Sequence, residues 1–214
     1  MSKNDIETIC RILEQEFSVV NETELLYENS YQLLVAILLS AQAQDVVVNK
    51  ATDVLFKKIK APKDAIKLGC EKINDCIKMI NHHNTKAKHI FELSEKIINE
   101  FNSKIPDNFD DLVKLPGVGR KTANLFLSLA YKKPYIAVDT HVFRVSNRLG
   151  IVEAKNAFET EKQLMQKAPV KRYRDINSLF IPFGRKYCKS QHPQCARCPL
   201  KTCCKKYNTS LKDE

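Results

Sequence analysis

The 214-residue sequence predicts an all-α fold. Apolar residues recur at the 3.6-residue spacing of a helix along nearly the whole chain, and Ile6, Ile9 and Leu13 mark such a face near the N-terminus. Strand patterns are scarce, since the apolar segment 135–138 is too short to build a sheet. The chain has only five glycines, which fits a mainly helical protein. No apolar run approaches the ~18 residues that a membrane-spanning helix needs, so no membrane partner is expected.

In the first half of the chain, capping residues mark where helices start. Ser30 or an adjacent residue caps a buried helix with the sequence YQLLVAILLSA, and Asp45 caps the next helix, which runs to about Lys58. An apolar pattern over 71–80 indicates another helix, and Asn84 opens a longer amphipathic one. With the N-terminal segment, these patterns predict a first half that is helical nearly throughout.

The second half of the chain continues the helical pattern. Its expected helices span residues 109–115, 120–131, 140–149 and 157–167, and a last helix leads into a cysteine-rich segment. Asp139 and Asn156 are the expected N-caps of the third and fourth of these helices, and Gly150 lies just past the end of one. The best candidate for a domain boundary is the polar segment 132–134, where a helix ends at a proline.

The charge of the chain suggests a class of partner. Lysine and arginine exceed aspartate and glutamate by 35 to 25, a net charge of +10 with a pI of about 9.2. Such an excess favours polyanions through counterion release, although a lysine-rich proteome gives the same composition. The first residues, MSKNDIETICRILEQEF, carry acids among apolar residues, unlike a secretion signal or a transit peptide. We therefore expect a cytoplasmic protein associated with the nucleoid.

The segment LPGVGRKTA, at 115–123, holds two of the five glycines and enters an apolar helix. The dinucleotide-binding fingerprint follows a strand and needs glycine or alanine where Thr122 stands. The P-loop needs four residues between its glycines, and here only Val118 separates Gly117 from Gly119. A helix–hairpin–helix fits instead, because its loop amides and the N-terminus of its second helix face a phosphate of a DNA backbone. An ordinary helical hairpin is the alternative.

Lys121 lies in the first turn of the helix that follows this hairpin. The positive end of a helix dipole disfavours a protonated amine, and a neutral lysine amine is the nucleophile of Schiff-base catalysis. A lysine in this position also contacts phosphate as a plain cation. The residues alone do not decide between the two roles.

Five of the eight cysteines fall between residues 188 and 204. In a chain without an export signal, such a cluster indicates metal binding rather than disulfides. A single compact loop with the spacing C-x6-C-x2-C-x5-C suits an iron–sulfur cluster better than the paired knuckles of structural zinc sites. The residues with this spacing are Cys188, Cys195, Cys198 and Cys204. Zinc, or no metal, is the alternative, and Cys203 would also close a site in place of Cys204.

Three motifs together resemble one family. LPGVGRKTA, followed by IAVDTHVFRVSNR at 136–148 and the cysteine motif, is similar to the endonuclease III family of DNA glycosylases, and LLVAILLSAQAQDVVVNKA at 33–51 extends the likeness over nearly the whole chain. The resemblance implies a bifunctional base-excision repair enzyme. Such an enzyme removes oxidised pyrimidines from DNA and cleaves the abasic strand by β-elimination. The implied partner is double-stranded DNA with damaged pyrimidines or abasic sites, bound by a monomer.

The resemblance also assigns the chemistry. Lys121 matches the family's nucleophile, whose amine attacks C1′ of the damaged nucleotide, displaces the base and forms an imine with the opened sugar. Asp139 matches the catalytic aspartate, whose carboxylate stabilises developing positive charge and assists proton transfer. Asp139 is also a plain N-cap candidate, and the two roles are compatible. The cysteine motif matches the family's [4Fe-4S] motif, which makes Cys204 the fourth ligand.

Residues that contact DNA are implied in the same way. In this family the segment around Gln42 lines the DNA cleft, and the glutamine fills the space that the extruded base leaves. The implied DNA contacts are Gln42, Asp45, His82, Gly117, Val118, Gly119, Arg120, Thr122, His141 and Arg144. The implied architecture has two lobes, one of residues 22–133 with the hairpin and one of residues 1–21 and 134–214 with the iron–sulfur loop.

Two features set this chain apart from its relatives. No carboxylate occurs at 35–40, where the adenine-removing branch carries its catalytic glutamate, so an adenine glycosylase is not expected. His82 stands where the family has an apolar wedge, which predicts weaker wedging of the duplex or an altered preference for the opposite base. Two other classes remain open: a helix–hairpin–helix binding protein without catalysis, and a zinc-stabilised structural domain.

Overall fold

A computed structural model describes residues 3–17 and 23–210, and within these ranges the chain forms helices and no strand. The prediction of an all-α fold is confirmed. The helices are α1 (Lys3–Glu16), α2 (Ser30–Ser40), α3 (Asp45–Phe56), α4 (Pro62–Leu68), α5 (Cys70–Cys76), α6 (His83–Phe101), α7 (Phe109–Leu112), α8 (Arg120–Tyr131), α9 (Thr140–Leu149), α10 (Ala157–Lys167), α11 (Tyr173–Lys186) and α12 (Lys205–Ser210). In the described part of the chain, no helix is long and apolar enough to cross a membrane.

The chain divides into two compact units. One, which we call the hairpin unit, spans Glu24–Lys133, and the other, the cysteine unit, combines Met1–Thr23 with Pro134–Glu214. The lobe boundary expected between residues 21 and 22 lies in 18–22, outside the described residues.

The hairpin unit is built around α2, which is buried along nearly its whole length. This helix is apolar on every side, as expected of a central helix, and it packs against α3, α6 and α8. Its two buried polar side chains are paired, because Tyr31 Oη lies 2.7 Å from Ser94 Oγ and Gln32 Nε2 donates to the Ile59 carbonyl at 3.3 Å. The N-cap is Asn29, whose side chain accepts from the Gln32 amide.

The cysteine unit buries α1 and α9 against α11 around one apolar core. At the edge of this core Arg172 is only 14% exposed, and it forms ion pairs with carboxylates on both α1 and α11. Its partners are Glu7, Glu14 and Asp175. The arginine therefore joins the N-terminal helix to the rest of the unit.

Acid is expected to weaken this junction through Glu7. Hydrogen bonds from Arg172 hold the pKa of Glu7 well below its ordinary value of 4.5, at about 2. Because the folded pKa is depressed, the stabilisation is complete above pH ~4.5 and is lost as the pH falls towards 2. In urea unfolding followed by circular dichroism, Glu7→Gln is expected to lower the free energy of unfolding at pH 7. Between pH 4.5 and 2.5 this free energy should fall less in Glu7→Gln than in the unaltered protein. Glu95→Gln, an exposed change on α6, is the control. Equal pH slopes for Glu7→Gln and the unaltered protein would contradict the assignment.

Most helix starts agree with their expected caps. Asp139 Oδ1 accepts from the Val142 amide at 2.7 Å, and Asn156 Oδ1 accepts from the Glu159 amide at 2.9 Å. Gly150 follows α9 with a left-handed φ of 78°.

Other expectations about helix ends were wrong. Gln44, not Asp45, is the N-cap of α3, with no side-chain cap bond, and Asp45 is the first residue of the helix. The helix expected to open at Asn84 begins one residue earlier, after His82. The helix expected to reach residue 115 ends at Leu112, because the chain then bends into the hairpin.

Two helices, α4 and α12, have no counterpart in the expectations. The start of α4 has two stabilising features. Pro62 occupies its first position, and Asp64 Oδ2 accepts from the amides of Lys60 and Ala61, both at 2.9 Å.

Candidate functional site

The turn between α7 and α8 depends on an unusual backbone at Gly117. Its φ is 76°, a left-handed value, and an added Cβ would lie 2.7 Å from His89 Nδ1. On either side, Leu115 and Val118 are buried, and the Val118 amide donates to the Leu115 carbonyl at 3.0 Å. Glycine at 117 is therefore required by the fold of the turn and by its close packing on α6.

Gly119 has a different reason to lack a side chain. Its φ is −87°, which any residue adopts, and an added Cβ would meet no atom within 4 Å. It is the N-cap of α8, so the first amides of that helix lie directly beside it. Since the fold does not require glycine here, its effect is to leave the N-terminus of α8 open to an anion.

The lysine singled out by the sequence is the second residue of α8. Lys121 is exposed, and its amine has no hydrogen-bond or ion-pair partner among residues 24–133. Its neighbour Arg120 is also exposed, with its guanidinium carbon 4.9 Å from the centre of the Phe109 ring. Thr122 is half-buried. The hairpin thus presents an accessible amine at a helix N-terminus.

Two further predicted residues of the hairpin unit lie in neighbouring turns. Gln42, after α2, and His82, before α6, are both exposed and have left-handed φ values of 56° and 57°. The turns are joined because Asn81 Nδ2 donates to the Gln42 carbonyl at 3.2 Å. Asp45, half-buried, begins α3 two residues beyond the α2 turn. His89, which packs against Gly117, lies on α6, the helix that follows His82. Along the helix axis the two histidines are about 10 Å apart.

Asp139, in the cysteine unit, is held in a fixed geometry. Its N-cap bond to the Val142 amide orients the carboxylate at the start of α9. The preceding residues 136–138 are buried, and Asn177 binds both the amide and the carbonyl of Ala137. The backbone before the carboxylate is thus fixed as firmly as the helix after it.

His141 and Arg144 make contacts inside the cysteine unit. Arg144 Nε donates to the Cys188 carbonyl at 2.8 Å, and one of its terminal nitrogens lies 3.0 Å from His141 Nδ1. Both side chains press on α11, where a Cβ added at Gly184 would lie 2.9 Å from His141 Nδ1. These contacts bring α9 against the start of the cysteine loop, and DNA contact by the two residues stays a prediction.

The cysteine motif surrounds one cavity. A pocket that is partly open to solvent is lined by aromatic and basic residues and by Cys188, Cys195, Cys198 and Cys204. Cys203 instead lines a separate pocket, and its thiol donates to the Leu200 carbonyl at 3.3 Å. Burial and neighbouring thiols raise the pKa of Cys198 to about 11.

The donor set fits an iron–sulfur cluster, because the four cysteines of the motif line one pocket. In the described part of the chain, no three side chains among His, Cys, Asp and Glu are close enough to share one metal ion. A zinc ion with bonds of about 2.3 Å draws its sulfurs into close contact. A multi-iron cluster is instead bound at its corners by four cysteines.

Several residues at these sites were not identified from the sequence. Arg148 Nη1 lies 3.6 Å from Cys188 Sγ and donates to the Lys189 carbonyl at 2.6 Å, which ties α9 to the cysteine loop. Lys86 and Asn81 support the turn at Gln42. The only sequence signal for Arg148 was its place in the 136–148 motif.

Comparison with known proteins places these features in context. Residues 35–170 match the model of the HhH-GPD superfamily base excision DNA repair protein. The chain is 47% identical over 185 residues to endonuclease III of Bacillus subtilis (strain 168), covering 86% of this chain and 84% of the relative. It is 45% identical over 186 residues to endonuclease III of Rickettsia prowazekii (strain Madrid E), covering 87% and 88%. It also resembles, with a TM-score of 0.91, 39% identity and 99% coverage of both chains, a structure of a trapped endonuclease III–DNA covalent intermediate in an estranged-adenine complex.

Proposed function

The chain belongs to the HhH-GPD superfamily of base excision DNA repair proteins, and from this we propose that it is a DNA glycosylase with abasic-site lyase activity of the endonuclease III type. Its substrate is double-stranded DNA that carries an oxidised pyrimidine or an abasic site. The observation that carries the proposal is the exposed amine of Lys121, next to the open N-terminus of α8. The relative trapped as a covalent intermediate with DNA supports the same chemistry.

In the proposed reaction, Lys121 Nζ forms a bond to C1′ while the bond from C1′ to the base breaks, and the base leaves with the electron pair. One amine proton passes to the departing base and the other to the ring oxygen, so that the sugar ring opens and an imine forms. Removal of a proton from C2′ then expels the 3′ phosphate, which cuts the strand, and water releases the enzyme. Asp139 contributes a carboxylate, fixed by its cap bond, that stabilises positive charge and transfers protons.

DNA is held in this proposal by contacts that do not read sequence. The amides of Gly117 and Gly119 and those that open α8 bind a phosphate, while the Val118 amide stays bonded to the Leu115 carbonyl, and Arg120 and Thr122 add a charge and a hydroxyl. Gln42 and His82, whose turns are joined by a hydrogen bond, enter the duplex. There they fill the space that the extruded base leaves.

The cysteine loop is proposed to hold a [4Fe-4S] cluster. Its ligands are Cys188, Cys195, Cys198 and Cys204, which share one pocket. The cluster, when bound, supplies no acid, base or nucleophile to the reaction and serves as a cross-link of the loop. Arg148 and Arg144 bind the loop's carbonyls and fix it to α9, the helix that Asp139 caps.

Borohydride trapping tests the proposal directly. The protein is mixed with a duplex that contains one abasic site or one oxidised pyrimidine, and borohydride reduces any imine to a stable adduct. A covalent protein–DNA adduct and a strand cut at the lesion are expected. Binding without either product would instead identify a helix–hairpin–helix binding protein without catalysis.

The two glycines of the hairpin are expected to respond differently to the same added methyl group. Gly117→Ala forces a left-handed alanine against His89, so it lowers the free energy of unfolding by at least ~1 kcal/mol. Gly119→Ala leaves stability nearly unchanged but weakens binding to an abasic-site duplex by about 10-fold, because the methyl keeps a phosphate from the α8 amides. Urea unfolding and a dissociation constant at fixed salt measure the two effects. Unchanged DNA affinity in Gly119→Ala would show that the phosphate does not bind there.

A further inference from the structure

Lys86 is a buried cation in the first turn of α6. It is 7% exposed, and its Nζ donates to the carbonyls of Leu39 at 2.9 Å and Ala41 at 2.5 Å. Burial lowers the pKa of this lysine. A buried ammonium group bound to neutral carbonyls costs more free energy than an apolar side chain of the same size, so filling space does not explain it.

The carbonyls that Lys86 binds lie where α2 ends and the chain turns. Carbonyls at a helix C-terminus have no partner within the helix and carry partial negative charge, which a lysine satisfies. The next residue, Gln42, has a left-handed φ of 56°, which a residue with a side chain adopts only when its surroundings enforce it.

Two contacts from one segment enforce this conformation. Lys86 holds the carbonyl of Ala41, which belongs to the peptide group before Gln42. Asn81 Nδ2 holds the carbonyl of Gln42, which belongs to the peptide group after it, at 3.2 Å. Because the orientations of these two peptide groups define the φ and ψ angles of Gln42, the two contacts together fix the direction of its exposed side chain.

We propose that Lys86 and Asn81 are positioning residues for Gln42, and that through it they determine how the enzyme discriminates the base opposite the lesion. The inference rests on the proposed function, in which Gln42 enters the duplex. His82, the second residue proposed to enter the DNA, lies directly after Asn81 and just before α6. Lys86 lies in the first turn of α6, so all three residues belong to one segment. A purely structural role for Lys86, as a cap of α2, is the competing explanation.

The test compares two substrates that differ in whether an opposite base exists. One is a set of duplexes with a single oxidised pyrimidine opposite each base in turn, and the other is a single-stranded abasic oligonucleotide. Asn81→Ala and Lys86→Met are expected to slow single-turnover excision in the duplexes about 10-fold and to reduce the differences between opposite bases. The borohydride adduct on the single strand is expected to form at rates within about 2-fold of the unaltered protein, as a positioning role predicts.

A double-mutant cycle decides whether the effect acts through Gln42. If it does, Asn81→Ala and Lys86→Met change duplex excision little further in a Gln42→Ala background. Asn84→Ala, the same substitution at an exposed position three residues after Asn81, is the matched control and should leave both substrates unaffected. Asn81 is exposed, so Asn81→Ala still tests the idea if Lys86→Met fails to fold.

Two results would overturn the inference. One is a parallel loss of activity on the duplex and on the single strand, which a general structural role predicts. The other is an effect that adds fully to that of Gln42→Ala. Failure of the unaltered protein to form an adduct with either substrate is distinguishable from both, since it overturns the proposed function itself.

Discussion

Lys121→Gln is expected to abolish the borohydride adduct with abasic DNA and to lower the rate of strand cleavage by at least ~1,000-fold. The reason is chemical, because an amide nitrogen does not form an imine with the sugar. The exposed side chain has no partner among residues 24–133, so its replacement leaves the fold of the hairpin unit intact. Gel analysis of the trapped complex and single-turnover cleavage measure the two losses. An adduct of undiminished yield would show that another amine is the nucleophile.

Two controls separate the nucleophile from its charge. Lys121→Arg keeps a cation at the N-terminus of α8 but presents a guanidinium, which stays protonated, so it should bind DNA and form no adduct. Arg120→Gln removes the adjacent charge, and with it the contact with Phe109, but keeps the amine. It should bind more weakly and still be trapped. If Lys121→Arg is trapped as well as the unaltered protein, the lysine acts only as a cation.

The hairpin shows what a local pattern predicts and where it stops. The Gly-x-Gly spacing, the lysine after it and the ends of α8 were all readable from neighbouring residues, because turn and helix signals are local. That the fold requires glycine at 117 but not at 119 could not be predicted from neighbouring residues, because it depends on His89, which approaches the turn from α6.

The same limit explains the residues that were missed. Lys86 and Arg148 bind backbone carbonyls that are far from them in sequence, and a carbonyl leaves no signature in the residue type. Asp45 was wrongly expected as a cap because aspartate is favoured both at the cap and in the first turn of a helix, and sequence does not separate adjacent positions.

The sequence pattern also could not decide between Cys203 and Cys204 as the fourth ligand. Either spacing closes a four-cysteine motif, so only a likeness to a family favoured Cys204. In the structure, Cys203 ends a short 3₁₀ turn, Lys201–Cys203, and Cys204 has extended backbone angles. The two adjacent side chains therefore reach different pockets, and only Cys204 shares one with Cys188, Cys195 and Cys198.

Cys204→Ser is therefore expected to lose the cluster, and Cys203→Ser to keep it. Loss should appear as absent absorbance near ~400 nm, a several-fold drop in bound iron, and faster proteolysis after residue 187, because the loop loses its cross-link. Cys203→Ser, a matched change one residue away, should retain colour and iron, since Cys203 does not line the pocket that the four motif cysteines share. Excision activity should fall only in Cys204→Ser.

Loss of the cluster in Cys203→Ser but not in Cys204→Ser would reverse the ligand assignment. Stoichiometric zinc in a colourless unaltered protein would instead identify a single-ion site.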